Sequence, residues 1–229
     1  MEQHTLSAFD IDLAEISGAL ARLGELARQE VADAIAALVR RDAQLAAEVV
    51  ERDSSLDELQ LEIEDRAVRL IALRQPVAND LRRAVAAMKM AANLERCGDL
   101  AKNIAKRAII VSETDSMASL MRPIERMGAL VQRLLGSALD SHAKADLALA
   151  RAAWAGDRDI DEEYESLVRE LLTYMMGDAR TITACTHLLF VAKNLERIGD
   201  HATNIAEITH YEITGEQLVS RPKLESVKL

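Results

Sequence analysis

A thirteen-residue block occurs twice in this chain. Residues 93 to 105 read NLERCGDLAKNIA and residues 194 to 206 read NLERIGDHATNIA, identical at ten of thirteen positions with an offset of 101. A duplication of this kind constrains the fold strongly, because each copy must occupy an equivalent place in an equivalent unit. Farther upstream the halves align at an offset of 104. There Arg22, Gly24, Ala34, Asp42, Ala46, Asp53, Asp57 and Glu58 recur as Arg126, Gly128, Ala138, Asp146, Ala150, Asp157, Asp161 and Glu162. The three-residue slip falls where the first half carries Arg74-Gln75-Pro76-Val77-Ala78-Asn79-Asp80 and the second has only Gly177-Asp178. An insertion of that size belongs in a turn between helices.

The units are helical. Nine Gly and three Pro are too few turn residues for a many-stranded fold, and aromatics make up only 3%. Ala and aliphatic residues at helical spacing can instead cover helix faces and pack closely. The periodicity predicts helices over about residues 7–42, 45–73 and 79–112, then 117–145, 147–176 and 179–212. Asp80 and Asp178 stand where acidic side chains suit helix starts. An all-α chain of two three-helix units follows, residues 1–113 and 114–214, joined near Ser112 to Ser116. Residues 215–229 lack the period and read as a flexible tail. Trp154 and Phe190 read as core anchors, and Met88, Met90, Met175 and Met176 as gap-fillers.

A net charge of −10 excludes general nucleic-acid binding, which draws on clustered Lys and Arg. Runs such as Ala34 to Val39 are far shorter than the roughly 20 apolar residues that span a bilayer, so no membrane insertion is expected. The start, Met1 to Thr5, has no export signal, and a cytoplasmic chain is expected. Cys97 and Cys185 lie 88 residues apart without CxxC or Cys/His spacing; both read as buried small side chains.

Within each repeated block, Leu94, Gly98, Ala101 and Ala105, matched by Leu195, Gly199, Ala202 and Ala206, form a packing seam. Glu95, Asp99 and Asn103, matched by Glu196, Asp200 and Asn204, form a second stripe. The preceding helix carries Asp53 and Asp57, and its counterpart Asp157 and Asp161. About a turn at residue 76, Asp57 and Glu95 are each 19 residues away, and Asp53 and Asp99 each 23. About a turn at 178 the second half gives 17 and 21 against 18 and 22. Equal rise then brings each set of four acids level on adjacent antiparallel helices. Carboxylates about 5 Å apart repel by roughly 1 to 3 kcal/mol per pair, so something must compensate. A hard divalent or trivalent ion does so, Mg²⁺, Mn²⁺ or iron foremost. Arg96 and Arg197 could do so as ion pairs instead. Asn103 and Asn204 are weaker candidate ligands.

The twin blocks, together with Arg74 to Arg82, which is similar to an RQPxAxDLR hairpin, identify the sequence as resembling the PhoU family over nearly its whole length. The resemblance implies two pseudo-symmetric three-helix bundles and no enzymatic activity. It implies metal ions or clusters on E(D)xxxD pairs, here Asp53/Asp57 with Glu95/Asp99 and Asp157/Asp161 with Glu196/Asp200. It also implies restraint of the phosphate-starvation response, by linking the phosphate transporter's ATPase PstB to the sensor kinase PhoR. A homo-oligomer, a dimer foremost, is expected. The blocks differ at Cys97 against Ile198 and at Lys102 against Thr203.

Two rival readings stand beside this one. A di-iron helical-bundle enzyme needs paired Glu-x-x-His motifs, and Glu207-Ile208-Thr209-His210 has no counterpart in the first half. His201 follows Asp200, but Leu100 takes its place in the first block, which favours a surface histidine. The other rival is a metal-free helical scaffold.

Overall fold

Two long helices and a broken arm make up each half of the chain. A computed structural model describes residues 2–113 and 118–218. The first half runs α1 (Glu2–Arg40), α2 (Ala43–Arg52), α3 (Ser54–Arg74) and α4 (Ala78–Ser112). The second runs α5 (Ala118–Ala143), α6 (Leu147–Ala155), α7 (Arg158–Gly177), a single 3₁₀ turn (Ala179–Thr181) and α8 (Ile182–Thr214). Asp42 and Asp146 open the arms at equivalent places. Asp42 accepts the Leu45 amide at 3.0 Å, and Asp146 those of Ala148 and Leu149 at 2.9 and 3.0 Å, satisfying amides that a helix start leaves without partners. Asp178 caps the 3₁₀ turn through the Arg180 amide, whereas Asp80 lies in the first turn of α4, behind Val77.

The fold is all-α, two pseudo-symmetric three-helix bundles, but the middle helix of each is not continuous. The expected 45–73 and 147–176 segments break at Asp53 and at Gly156-Asp157. The helix restarts there, with the Asp53 carbonyl accepting from Leu56 and Asp57 and the Asp157 carbonyl from Ile160 and Asp161. The physical reason lies in the apolar stripe. Ala46, Val49, Leu56, Ile63, Ala67 and Leu70 are buried, and Asp53 falls on the same stripe and is buried with them. Asp157 has the same place among Ala150, Ala153, Ile160, Leu167 and Leu171. Hydrophobic spacing continues through the break, so periodicity by itself does not reveal it.

The small seam of α4 and α8 explains how close the arms come. Leu94, Gly98, Ala101 and Ala105 are all buried, as are their equivalents Leu195, Gly199, Ala202 and Ala206. A Cβ on Gly98 would stand 2.6 Å from Leu56 Cδ2, and one on Gly199 3.0 Å from Ile160 Cδ1. Leu56 and Ile160 are themselves repeat equivalents, so the same notch receives the same arm residue twice.

The halves join through α4 against α8 and α1 against α5. Lys89 faces Tyr211, Asn93 meets Asn204, and Arg107 meets His187; the falling numbers on α8 make the pair antiparallel. Gly24 packs on Leu139, and Gly128 packs reciprocally on Ile35. Such exchange of equivalent partners is the signature of a two-fold relation, here between halves of one chain.

Cys97 and Cys185 are buried free thiols, and Trp154 packs against the core. Phe190 does not: it is half exposed, with the Arg107 guanidinium 4.1 Å from its ring centre. Met176, at the end of α7, is exposed rather than filling a gap. Phe190 is covered on one side only, by Arg107 of α4, and Met176 is almost fully exposed, which a local pattern cannot foresee. Residues 114–117 of the inter-half connection and 219–229 of the expected tail lie outside the described residues.

Two glycines give opposite expectations. Gly98→Val should lose about 2–3 kcal/mol through overpacking against Leu56. A Cβ on Gly136, in α5, would meet nothing within 4 Å, so Gly136→Ala should gain about 0.5–1 kcal/mol from helix propensity. Chemical denaturation of the two variants checks the contrast.

Candidate functional site

Each arm brings its acids to the third helix of its own half. In the first, Asp53 stands at the break of the arm and Asp57 one turn on, facing α4. Lys102 Nζ lies 2.5 Å from Asp53 Oδ2 and 2.7 Å from Asp99 Oδ1, bridging arm and helix. Arg96 adds contacts of 3.1 Å to Asp99 Oδ2 and 3.4 Å to Glu95 Oε2. Partial burial, followed by the like charges of Asp99 and Asp57 against the opposing pull of Arg96, raises the Glu95 carboxyl above its ordinary value. Asp99 moves the other way: burial pushes it up, but Lys102 and Arg96 outweigh that and hold it low. For Lys102 burial opposes the charge, and Asp53 and Asp99 outweigh it, so the ammonium is held more firmly than usual.

Glu30 on α1 is a member of this cluster that sequence reading missed. It is only 3% exposed, and its Oε2 has no hydrogen-bond partner. That oxygen would lie 3.4 Å from a Cβ on Gly98. Burial first, then the nearby Asp53 charge, pushes the carboxyl up to about 7. The signal was present: Glu30 interrupts the buried α1 stripe of Leu23, Ala27, Val31, Ala34 and Leu38. Its repeat equivalent is Leu134, so comparing the halves for shared acids passes over it.

The second half keeps the acids and changes their surroundings. Asp157 is buried at the break, with Oδ1 3.3 Å from a Cβ on Gly199. Crowding by the surrounding protein and then the charges of Glu196, Asp157 and Asp161 push Asp200 up to about 6, although the side chain is exposed to solvent. The four acids therefore share one field. Thr203 takes the place of Lys102, and its hydroxyl donates to the Asp200 carbonyl at 2.8 Å. Lys193, half exposed, pairs with Glu196 at 2.6 Å.

The weaker candidates lie elsewhere. Asn103 is exposed. Asn204 donates to Asn93 Oδ1 at 3.3 Å across the α4–α8 seam, and His201 Nδ1 is 2.9 Å from the same oxygen. His201 is thus half-buried between the halves, not on the open surface. His210 is buried, 3.3 Å from Arg151 and 3.0 Å from the Glu216 carbonyl, so the Glu207/His210 pair does not offer the joint face that a di-iron site requires. Among the described residues, no three His, Cys, Asp or Glu side chains stand close enough to hold one ion in their present rotamers.

The Glu30 value sets a pH dependence. The folded chain keeps a proton that the unfolded chain releases above about 4.5, so stability falls as pH rises from about 4.5 to about 7. At 1.36 kcal/mol per unit the loss is about 3 kcal/mol. Glu30→Gln should therefore raise the melting temperature at pH 8 by several degrees and leave it almost unchanged at pH 4.5, read by thermal denaturation across that range.

Comparison with known proteins accords with this duplicated, acid-bearing helical architecture. The PhoU domain family model matches residues 20–108 and 124–209. A phosphate-specific transport system accessory protein PhoU homolog from Caulobacter vibrioides is 59% identical over 226 residues, covering 98% of both chains. One from Rhizobium meliloti is 47% identical, covering 93% of this chain and 90% of the relative. The crystal structure of PhoU from Pseudomonas aeruginosa superposes with a TM-score of 0.88 at 37% identity, covering 91% of this chain and all of that one. The phosphate transport system regulatory protein PhoU from Streptococcus pneumoniae gives 0.84 at 30% identity, covering 93% of this chain and all of that one. With a match to each half and such similarity across almost its full length, the chain belongs to the PhoU family.

Proposed function

We propose that this protein is a non-enzymatic cytoplasmic regulator of phosphate uptake that restrains the phosphate-starvation response. In this reading it acts as an adaptor, in dimeric form, between the phosphate transporter's ATPase PstB and the sensor kinase PhoR. The observation that carries the reading is the 59% identity over nearly the whole chain to a phosphate-specific transport system accessory protein homolog. The architecture suits an adaptor: two stiff lobes share a long antiparallel seam, leaving the outer helix faces for partners. Among the described residues, no helix is long and apolar enough to cross a membrane, so contact with a transporter would run through its cytoplasmic parts.

The same proposal includes a hard metal ion, Mg²⁺, Mn²⁺ or iron, as a structural and signalling component. The donor chemistry of the second lobe fits such an ion: Asp157, Asp161, Glu196 and Asp200 supply only carboxylate oxygens, and after burial their like charges help to raise Asp200. Binding requires those side chains to draw together and Glu196 to leave Lys193. Lys193 is half exposed and Glu196 15% exposed, so the pair to be released is partly screened by water. When bound, the ion supplies positive charge that can also attract a phosphate-like anion; the acids without it would repel one.

Deleting the gene should make phosphate-starvation genes constitutive in phosphate-rich medium, with restoration by the wild-type chain. Unaltered expression in the deletion strain would remove the regulatory reading. Elemental analysis of protein purified without chelator should find a metal that is lost in Asp157→Asn/Asp200→Asn; equal content in wild type and double variant would remove the metal part.

A further inference from the structure

Lys102 is a cation at the first acid crossing that the duplication did not copy. Its ammonium bridges Asp53 on the arm and Asp99 on α4 at 2.5 and 2.7 Å, while Arg96 takes the other Asp99 oxygen and reaches Glu95. Asp53, Asp99 and Glu95 are thus already engaged by cations belonging to the chain. A divalent ion sharing carboxylates with an ammonium is repelled by it at close range, so ion and lysine exclude one another.

Displacement is harder here than in the second lobe. The Lys102–Asp53 pair is 22% and 8% exposed, against 49% and 15% for Lys193–Glu196, so the link from Lys102 to the arm is screened less by water. The position equivalent to Lys102 is Thr203, whose hydroxyl is spent on its own helix and which brings no charge. Glu30, behind Asp53, adds a further acid to the first crossing where the second lobe has Leu134. The two crossings therefore share a backbone and differ in what balances their acids.

We propose that Lys102 is a built-in counter-cation that closes the first acid crossing, so that exchangeable metal in this protein is confined to the second lobe. The confinement rests on the metal reading given above; the counter-cation role does not.

The test uses the full chain equilibrated with Mn²⁺ and dialysed, with manganese content read by elemental analysis and melting temperature read with and without EDTA. Asp200→Asn should bring manganese to background, and Asp99→Asn should leave it at the wild-type level. In the Asp157→Asn/Asp200→Asn background, K102T should recover at least half of the wild-type manganese content. It should also gain a Mn²⁺-dependent rise of several degrees in melting temperature, which K102R, retaining the charge, does not show. A fall in manganese on Asp99→Asn overturns the proposal, and that comparison stands even if K102T fails to fold. A folded K102T that takes up no manganese overturns it as well. If wild type holds no metal but K102T shows the Mn²⁺-dependent rise, the metal reading of the second lobe fails and the counter-cation role is upheld.

Discussion

The structure depends on an acid set where a core residue belongs. Asp53 and Asp157 each occupy the buried stripe of an arm; Asp157 lies beside Gly199, and Gly98 receives Leu56 of the first arm. A charge taken out of water must be matched, because an unbalanced buried carboxylate costs several kcal/mol. That demand explains why Lys102 and Arg96 accompany Asp53, Asp99 and Glu95 and why Lys193 accompanies Glu196. It also explains why the glycines of the duplicated block cannot be treated as spacers. They set the distance at which the charges meet.

The duplication was retained in shape and altered in charge. Equivalent leucine and isoleucine side chains fill equivalent notches, and Gly24 and Gly128 exchange partners across the α1–α5 contact. Packing tolerates little deviation, since interiors are filled to near-crystal density. Charge balance is less demanding, because several arrangements can neutralise the same acids. In the first lobe Lys102 answers Asp53 and Asp99, whereas in the second partial burial and then the neighbouring acids raise Asp200. One scaffold thus holds two electrostatically different crossings.

Much of this was legible beforehand, and the exceptions have specific causes. Equal counting distances about the hairpin turns pair Asp57 with Glu95 and Asp53 with Asp99, because helical rise per residue is constant; in the structure Lys102 bridges Asp53 and Asp99, and the Asp57 charge reaches Glu95. The breaks at Asp53 and Asp157 were not legible, since an unbroken hydrophobic spacing runs through them. Glu30 was overlooked because its counterpart is Leu134 and agreement between halves was the guide. Phe190 and Met176 were assigned inward from residue type alone, yet exposure depends on which neighbours cover a face.

By itself the sequence determined the helical class, the two-fold plan and the level at which the acids meet, for these follow from period and repetition along the chain. Tertiary structure decided which cation answers each acid, which histidines are enclosed and where the arms bend. Those outcomes depend on side chains from separate helices arriving within a few ångströms of one another, and neither composition nor periodicity encodes that distance.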